Sequence, residues 1–168
     1  MKKILMVCEA FGGGVFTYVS QLCNDMVSDF EVFLAYSLRP QTPSNYKDFL
    51  DRRVHLIRMK NVGVSGLTNI KNDIAAIREL RQMEENIKPD VIHLHSSVAG
   101  GFGRLAYKGK HNTVVYTPHG YAHILMGSGK KSFFYKLAEQ VLGNRAITLT
   151  CCESEDEEAR KFSKKTAF

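Results

Sequence analysis

The chain opens on Ile4-Leu5-Met6-Val7-Cys8-Glu9-Ala10-Phe11-Gly12-Gly13-Gly14-Val15, an apolar strand-like run that stops at a carboxylate and turns through consecutive glycines into a helix-length segment. Further on, Thr113-Val114-Val115-Tyr116-Thr117-Pro118-His119-Gly120 follows the same plan, a strand-like run and then a short polar turn. In an open parallel α/β sheet, ligands bind in the crevice outside the carboxyl ends of the strands, so both turns are expected to border one cleft.

Working outward, strand-like runs recur at Ile4–Cys8, Glu31–Tyr36, Val54–Met59, Val91–His95, Thr113–Thr117 and Ala146–Thr150. Helix-length amphipathic segments lie between most of them, at Val15–Val27, Thr68–Ile87, Ser97–Lys108 and Lys130–Leu142. The alternation predicts an α/β fold, a doubly wound, Rossmann-like parallel sheet of about six to seven strands covered on both faces. In Thr68–Ile87, the residues Ile70, Ile74, Ile77, Leu80 and Ile87 are expected on one face, with Thr68 or Asn69 as cap and Pro89 as stop. Pro40, Pro43 and Ser44 mark a loop before a short helical piece at Tyr46–Leu50. The tail Glu153–Phe162 reads as a capped helix with acids in its first turn and bases in its last.

With 168 residues, 44% hydrophobic and 24% charged, the chain has enough apolar mass for one core. Its 23 Lys+Arg against 17 Asp+Glu give a net charge of +6, which favours anionic partners such as nucleotides, phospholipid surfaces or phosphate-bearing substrates. Met1-Lys2-Lys3 and the run after it imitate a signal peptide, but Glu9 ends the run short of the roughly 7–15 residues such a region needs. No segment approaches the about 20 apolar residues of a membrane-spanning helix, and a cytoplasmic location is expected. Cys8, Cys23, Cys151 and Cys152 lack metal-ligand spacing and read as small buried hydrophobes in a reducing compartment.

Gly12, Gly13 and Gly14 open a helix, where free N–H groups and the positive end of the dipole suit a phosphate. They do not make a dinucleotide fingerprint. The third slot of G-x-G-x-x-G falls on Thr17, and Tyr36-Ser37-Leu38-Arg39 lacks the ribose-binding acid. Gly127-Ser128-Gly129-Lys130-Lys131-Ser132 is similar to part of a P-loop, yet Ile124 stands where a glycine is required, and the stretch reads as a basic loop. Alternation puts His93 and His95 on one face of their strand. His93 reads as a satisfied strand histidine. His95 sits at the strand end beside Ser96 and Ser97, before Ala99-Gly100-Gly101, a small-residue helix start that would let a substrate come close. His119, framed by Pro118 and Gly120, is the histidine best placed to act on a ligand near neutral pH. Lys130, Lys131 and Lys136 beside Leu125, Met126, Phe133, Phe134 and Tyr135 suit a membrane interface or a lipid-linked phosphate; an ordinary helix with a core face and a solvated face fits the same residues.

Gly13-Gly14 with Leu22 in the following helix, Asp90-Val91-Ile92-His93-Leu94-His95-Ser96, Thr117-Pro118-His119-Gly120-Tyr121 and Thr150-Cys151-Cys152-Glu153-Ser154-Glu155 resemble, in order and spacing, the amino-terminal half of a family 4 glycosyltransferase of the bacterial polysaccharide type. The resemblance implies the two-domain GT-B fold, with residues 1–152 as a Rossmann-like acceptor-side domain and 153–168 as a helix leading toward a carboxyl-terminal donor domain outside this sequence. It implies transfer of a hexosyl-type sugar with retention, from a nucleotide-sugar co-substrate to a polysaccharide or lipid-linked acceptor. It needs no metal, in keeping with the lack of a D-x-D pair in the sequence. Gly12, Gly13 and Gly14 would approach the donor phosphates, His119 would be catalytic, and His95, Ser96, Ser97, Tyr121, Lys130 and Lys131 would face the acceptor. The expected partners are the donor, the acceptor and a peripheral membrane contact, with no nucleic acid, and the isolated chain is expected to be inactive. A sugar-nucleotide 2-epimerase half and a non-catalytic nucleotide- or sugar-binding module are the alternatives.

Overall fold

The computed structural model describes residues 1–63, 70–109 and 111–168. Strands β1 (Lys2–Phe11), β2 (Phe30–Leu38), β3 (His55–Arg58), β4 (Val91–His95), β5 (Thr113–Thr117), β6 (Ile147–Leu149) and β7 (Thr166–Ala167) form one seven-stranded sheet in the order β3-β2-β1-β4-β5-β6-β7. Every neighbouring pair runs parallel. The helices are α1 (Gly13–Met26), α2 (Ile70–Ile87), α3 (Ser97–Ala106), α4 (Ala122–Leu125), α5 (Lys130–Leu142) and α6 (Glu153–Ala159). The chain winds outward from β1 to β3, returns through α2, and winds the other way from β4 to β7, as the doubly wound reading requires.

Strand alternation divides the core between two faces. Ile4, Met6 and Cys8 pack with Phe16, Val19 and Cys23 of α1, while Leu5, Val7, Ile92 and Leu94 pack with residues of α2 and α3. Because Met6 pairs with His93 and Cys8 with His95, both histidines lie on the α1 side. Close approach of α3 depends on glycine. A β-carbon at Gly100 would stand 2.3 Å from the Tyr116 ring, and one at Gly103 would stand 2.4 Å from Leu94. Gly100 thus serves helix–sheet packing rather than ligand access. Between α3 and α5, Arg104 and Glu139 form a buried two-pronged ion pair, at 2.9 and 3.0 Å, and the Tyr116 hydroxyl donates to Glu139 at 3.0 Å.

Several local expectations change. Ile70 and Ile74 are exposed, and the buried face of α2 is Ala76, Leu80, Met83 and Ile87. The proposed caps Thr68 and Asn69 lie outside the described residues. The tail helix starts without a side-chain cap and ends at Ala159, and the chain then adds Thr166–Ala167 to the sheet as β7 beside β6. Cys8 and Cys23 are buried, but Cys151 and Cys152 are exposed, because β6 stops at Leu149 and the chain turns outward into α6.

Removing one partner of a buried ion pair strands the other charge in the core, which costs about 3–5 kcal/mol. Glu139→Ala should therefore lower the unfolding free energy by about that amount in urea melts, whereas Arg160→Ala, which breaks an exposed pair with Asp156, should cost under about 1 kcal/mol.

Candidate functional site

The order of the sheet puts its switch point between β1 and β4, the place at which open α/β sheets form a crevice at the carboxyl ends of their strands. Pairing of Cys8 with His95, and of His95 with Thr117, brings the ends of β1, β4 and β5 level. Just beyond them stand Glu9, Ser96 and the Pro118-His119-Gly120 turn.

Ser96 is the joint. Its backbone has φ +87° and ψ 160°, a region nearly reserved for glycine and costing about 1–3 kcal/mol. Three contacts hold it there. Its N–H donates to the Thr117 carbonyl at 3.0 Å, its hydroxyl donates to the buried carboxylate of Glu9, and that same oxygen accepts from Ala99 N at 3.4 Å, capping α3. Burial raises the Glu9 pKa, opposed by the Ser96 hydrogen bond and the Arg39 charge. Arg39 Nε donates to the Glu9 carbonyl at 2.9 Å, and Nη2 lies 3.6 Å from its carboxylate.

The histidines form a chain from the sheet to the crevice. His93 Nε2 lies 2.8 Å from Thr117 Oγ1, the His93 and His95 ring centres are 4.0 Å apart, and His95 Nδ1 meets His119 Nε2 at 3.0 Å. His119 has φ +53°, a left-handed conformation that histidine tolerates. Its ring is held by the edge of Tyr18 of α1 at 4.8 Å, and Nδ1 lies 4.0 Å from Cys151 Sγ. Glu155 braces this turn, accepting from Gly120 N with one oxygen and from Cys151 N at 3.0 Å with the other.

Burial pushes the His93 pKa down to about 3, pushes His95 well below its usual value and lowers His119, with Glu155 acting the other way on His119. All three rings are therefore neutral at pH 7. His95 Nε2 is buried without a hydrogen-bond partner. An orphaned N–H is rarer in folded proteins than an orphaned acceptor, so we assign the proton of His95 to Nδ1, from where it is donated to His119 Nε2. His119 then carries its own proton on Nδ1, the nitrogen that lies beside Cys151 Sγ.

The glycine turn follows the end of β1, where Gly12 and Gly13 line a cavity with Arg39 and Gln41. Gly12 precedes α1 in extended conformation with no side-chain cap, Gly13 has φ +55°, and β-carbons at Gly13 or Gly14 would meet nothing within 4 Å. Gly14 lies one helical turn before Tyr18, on the same face, and Tyr18 touches His119.

The other expected residues divide. His95 is fully buried and reaches the crevice only through His119. Ser97 Oγ accepts from Ala122 N at 3.1 Å, tying α3 to α4. Tyr121 is buried between His123 and Phe162. Lys130 and Lys131 stand apart, exposed on the first turn of α5. Glu9 and Tyr18 were missed. Glu9 had a signal, a lone carboxylate between an apolar strand and a glycine turn, whereas Tyr18 looks like any surface aromatic. A cavity of about 790 Å³ lined by Arg81, Asp90 and Asn112 lies at the opposite, amino-terminal end of the strands. Among the described residues no group of three or more His, Cys, Asp or Glu converges as a metal site, and no helix is long and apolar enough to cross a membrane.

The model of Glycosyltransferase Family 4 matches residues 12–165, a span that takes in the glycine turn, the histidine chain and the Glu155 brace. The chain belongs to this family. No curated protein matches the sequence. Among solved structures, it resembles sucrose-phosphate synthase (tll1590) from Thermosynechococcus elongatus, at TM-score 0.69 and 15% identity over 99% of this chain and 47% of that one. The lipopolysaccharide outer core galactosyltransferase WaaB in its apo form matches at TM-score 0.64 and 15% identity, over 99% of this chain and 44% of that one. UDP-N-acetylglucosamine 2-epimerase from Rickettsia bellii matches at TM-score 0.64 and 11% identity, with the same coverages of 99% and 44%. The chain thus spans a little under half the length of these proteins, and its fold is the Rossmann-like amino-terminal half of GT-B.

The lowered histidine pKa values set the acid behaviour of this family 4 domain. Above pH 6.5 the imidazoles are neutral in both folded and unfolded chains; below it the unfolded chain takes up protons that the folded one refuses. Stability should fall on acidification from pH 6.5, by about 1.4 kcal/mol per pH unit for each ring still neutral when folded. Glu9 has the opposite sign and offsets part of this loss. Urea melts between pH 7.5 and 5 check the slope, which His93→Phe should reduce.

Proposed function

We propose that this chain is the acceptor-side half of a retaining glycosyltransferase that moves a hexosyl-type sugar from a nucleotide-sugar to a polysaccharide or lipid-linked acceptor, without a metal, at the cytoplasmic side of a membrane. The observation that carries the reading is His119 at the end of β5, its Nε2 hydrogen-bonded to His95 and its ring one α1 contact from an uncapped glycine turn. In this reading the glycine turn faces donor phosphates across the cleft. His119 donates a hydrogen bond to the transferred sugar or to charge that develops as the glycosidic bond breaks, a contribution on the order of 10²–10⁴-fold. Glu9, Ser96 and Glu155 keep the two turns in place.

The 168-residue chain alone should melt cooperatively and consume no nucleotide-sugar. In the protein that joins it to a donor-binding half, His119→Ala should cut kcat on the order of 100-fold or more with little change in Tm. Gly14→Val should depress activity more than Tm, because a β-carbon there meets open space. Wild-type kcat/KM in His119→Ala overturns the assigned role. The same assay separates transfer from 2-epimerisation, which would convert the nucleotide-sugar with no acceptor present.

The membrane part of the proposal rests on α4 and α5. Leu125 is 74% exposed, Ile124 54%, Phe133 64% and Phe134 60%, beside the exposed Lys130, Lys131 and Lys136. Among the described residues these lysines form no ion pair. Apolar side chains rimmed by cations suit an anionic interface, at about 1 kcal/mol per lysine near the surface. Changing the three lysines to Glu should abolish co-sedimentation with phosphatidylglycerol vesicles at low salt; equal binding before and after returns α5 to an ordinary solvated helix.

A further inference from the structure

A second cavity on the carboxyl side of the sheet, about 550 Å³, lies beside the ends of β2 and β3 and is lined by Ser37, Arg39, Arg58, Lys60, Val62 and Gly63. Its walls carry three cations and no acidic side chain. Arg58 and Lys60 are exposed and, among the described residues, form no ion pair. The neighbouring carboxylates are engaged. Glu79 accepts from the backbone N–H groups of Lys60 and Asn61, each at 2.8 Å, and Glu9 is buried under Ser96 and Arg39.

The cavity is also a built one. Arg39 is fixed along one edge by Glu9, and its backbone N–H donates to Thr42 Oγ1 at 2.8 Å. Ser37 Oγ donates to the Val62 carbonyl at 2.9 Å, holding the turn after β3 against β2. Gly63 adopts φ +83°, and a β-carbon there would lie 2.7 Å from Glu9 Cγ and 2.9 Å from Arg39 Nη2, so the backbone passes directly against the ion pair. Arg39 is a shared wall, since it also lines a neighbouring cavity with Gly12, Gly13 and Gln41. A guanidinium fixed by Glu9, joined by two cations that form no ion pair among the described residues, matches the charge and donor chemistry that a phosphate-type oxyanion needs.

We propose that Arg39, Arg58 and Lys60 form an oxyanion subsite that takes a phosphate or pyrophosphate group, separate from the glycine turn and next to it. Its use to hold a phosphate carried by the acceptor rests on the glycosyltransferase reading above; the binding itself does not. The subsite would place an acceptor phosphate on the β2–β3 side of the crevice and leave the β4–β5 side, with His119, to the sugar.

The test is titration of the ¹⁵N-labelled 168-residue chain with inorganic pyrophosphate at ionic strength held constant with KCl. Saturable amide shifts are expected at residues 37–39 and 58–63. Arg58→Gln combined with Lys60→Gln, both on the surface, should leave Tm unchanged and weaken binding by about tenfold or more. A short-chain prenyl pyrophosphate that binds more tightly than pyrophosphate identifies a lipid-linked source, and equal affinity identifies a water-soluble phosphate. Shifts confined to Gly12–Gly14, or an unchanged Kd in the double variant, overturn the proposal. Failure of sugar transfer would leave this binding result standing, so the two readings fail separately.

Discussion

The backbone of Ser96 is the constraint on which the rest of the site depends. A parallel sheet delivers the ends of β1, β4 and β5 to one level, but it does not specify how the turns that leave them are related. Ser96 does this by occupying a conformation that disfavours any side chain, and by spending every polar group it has within reach on a neighbour: N–H to β5, hydroxyl to Glu9 after β1, hydroxyl oxygen to the first turn of α3. The strain is of order 1–3 kcal/mol, and charge-assisted hydrogen bonds of about 1.5–3 kcal/mol are the right size to hold it. Burial that raises the Glu9 pKa makes this joint a place where protonation and geometry are linked.

Burial also decides what the histidines can do. A solvated imidazole near neutral pH is a base, but three rings packed together cannot all afford a proton, and desolvation keeps each neutral. Neutral rings in a chain hand a tautomer from one to the next. His95, with one nitrogen orphaned and the other against His119, sets which nitrogen of His119 carries the proton.

Much of the fold was legible because strand and helix periods are local. β4 and β5 begin and end where alternation predicts, α5 matches its segment residue for residue, and the two turns that mark the crevice sit at strand ends. What was not legible is non-local. The sequence Ala99-Gly100-Gly101 looks the same whether Gly100 admits a substrate or a tyrosine ring, and only the placement of Tyr116 decides for the ring, while a β-carbon at Gly101 would meet nothing within 4 Å. Ser96 and Tyr121 carry polar groups suited to a ligand, yet the residues they meet, Glu9 and Phe162, are remote in sequence. Ile70 and Ile74 fit a helical stripe, yet both are exposed on the first turns of α2. β7 is too short for any periodic signal.

The helix α5 inverts the usual division between an apolar inside and a charged outside. Its buried residues are Glu139 and Leu142 alone, and the stronger anchor is ionic: Glu139 is clasped by Arg104 and Tyr116 in a site sealed from solvent. Buried ion pairs of this kind are poor sources of net stability compared with apolar packing, and fixing orientation is their better-attested use. Here the orientation fixed is one in which Phe133, Phe134, Leu137 and Val141 all point away from the core. Lys130 and Lys131 add a second local cost, since cations at a helix amino terminus oppose its dipole. Helix α5 is thus held by charge inside, with its apolar residues and lysines outside, on the same β5–β6 connection that leaves the His119 turn.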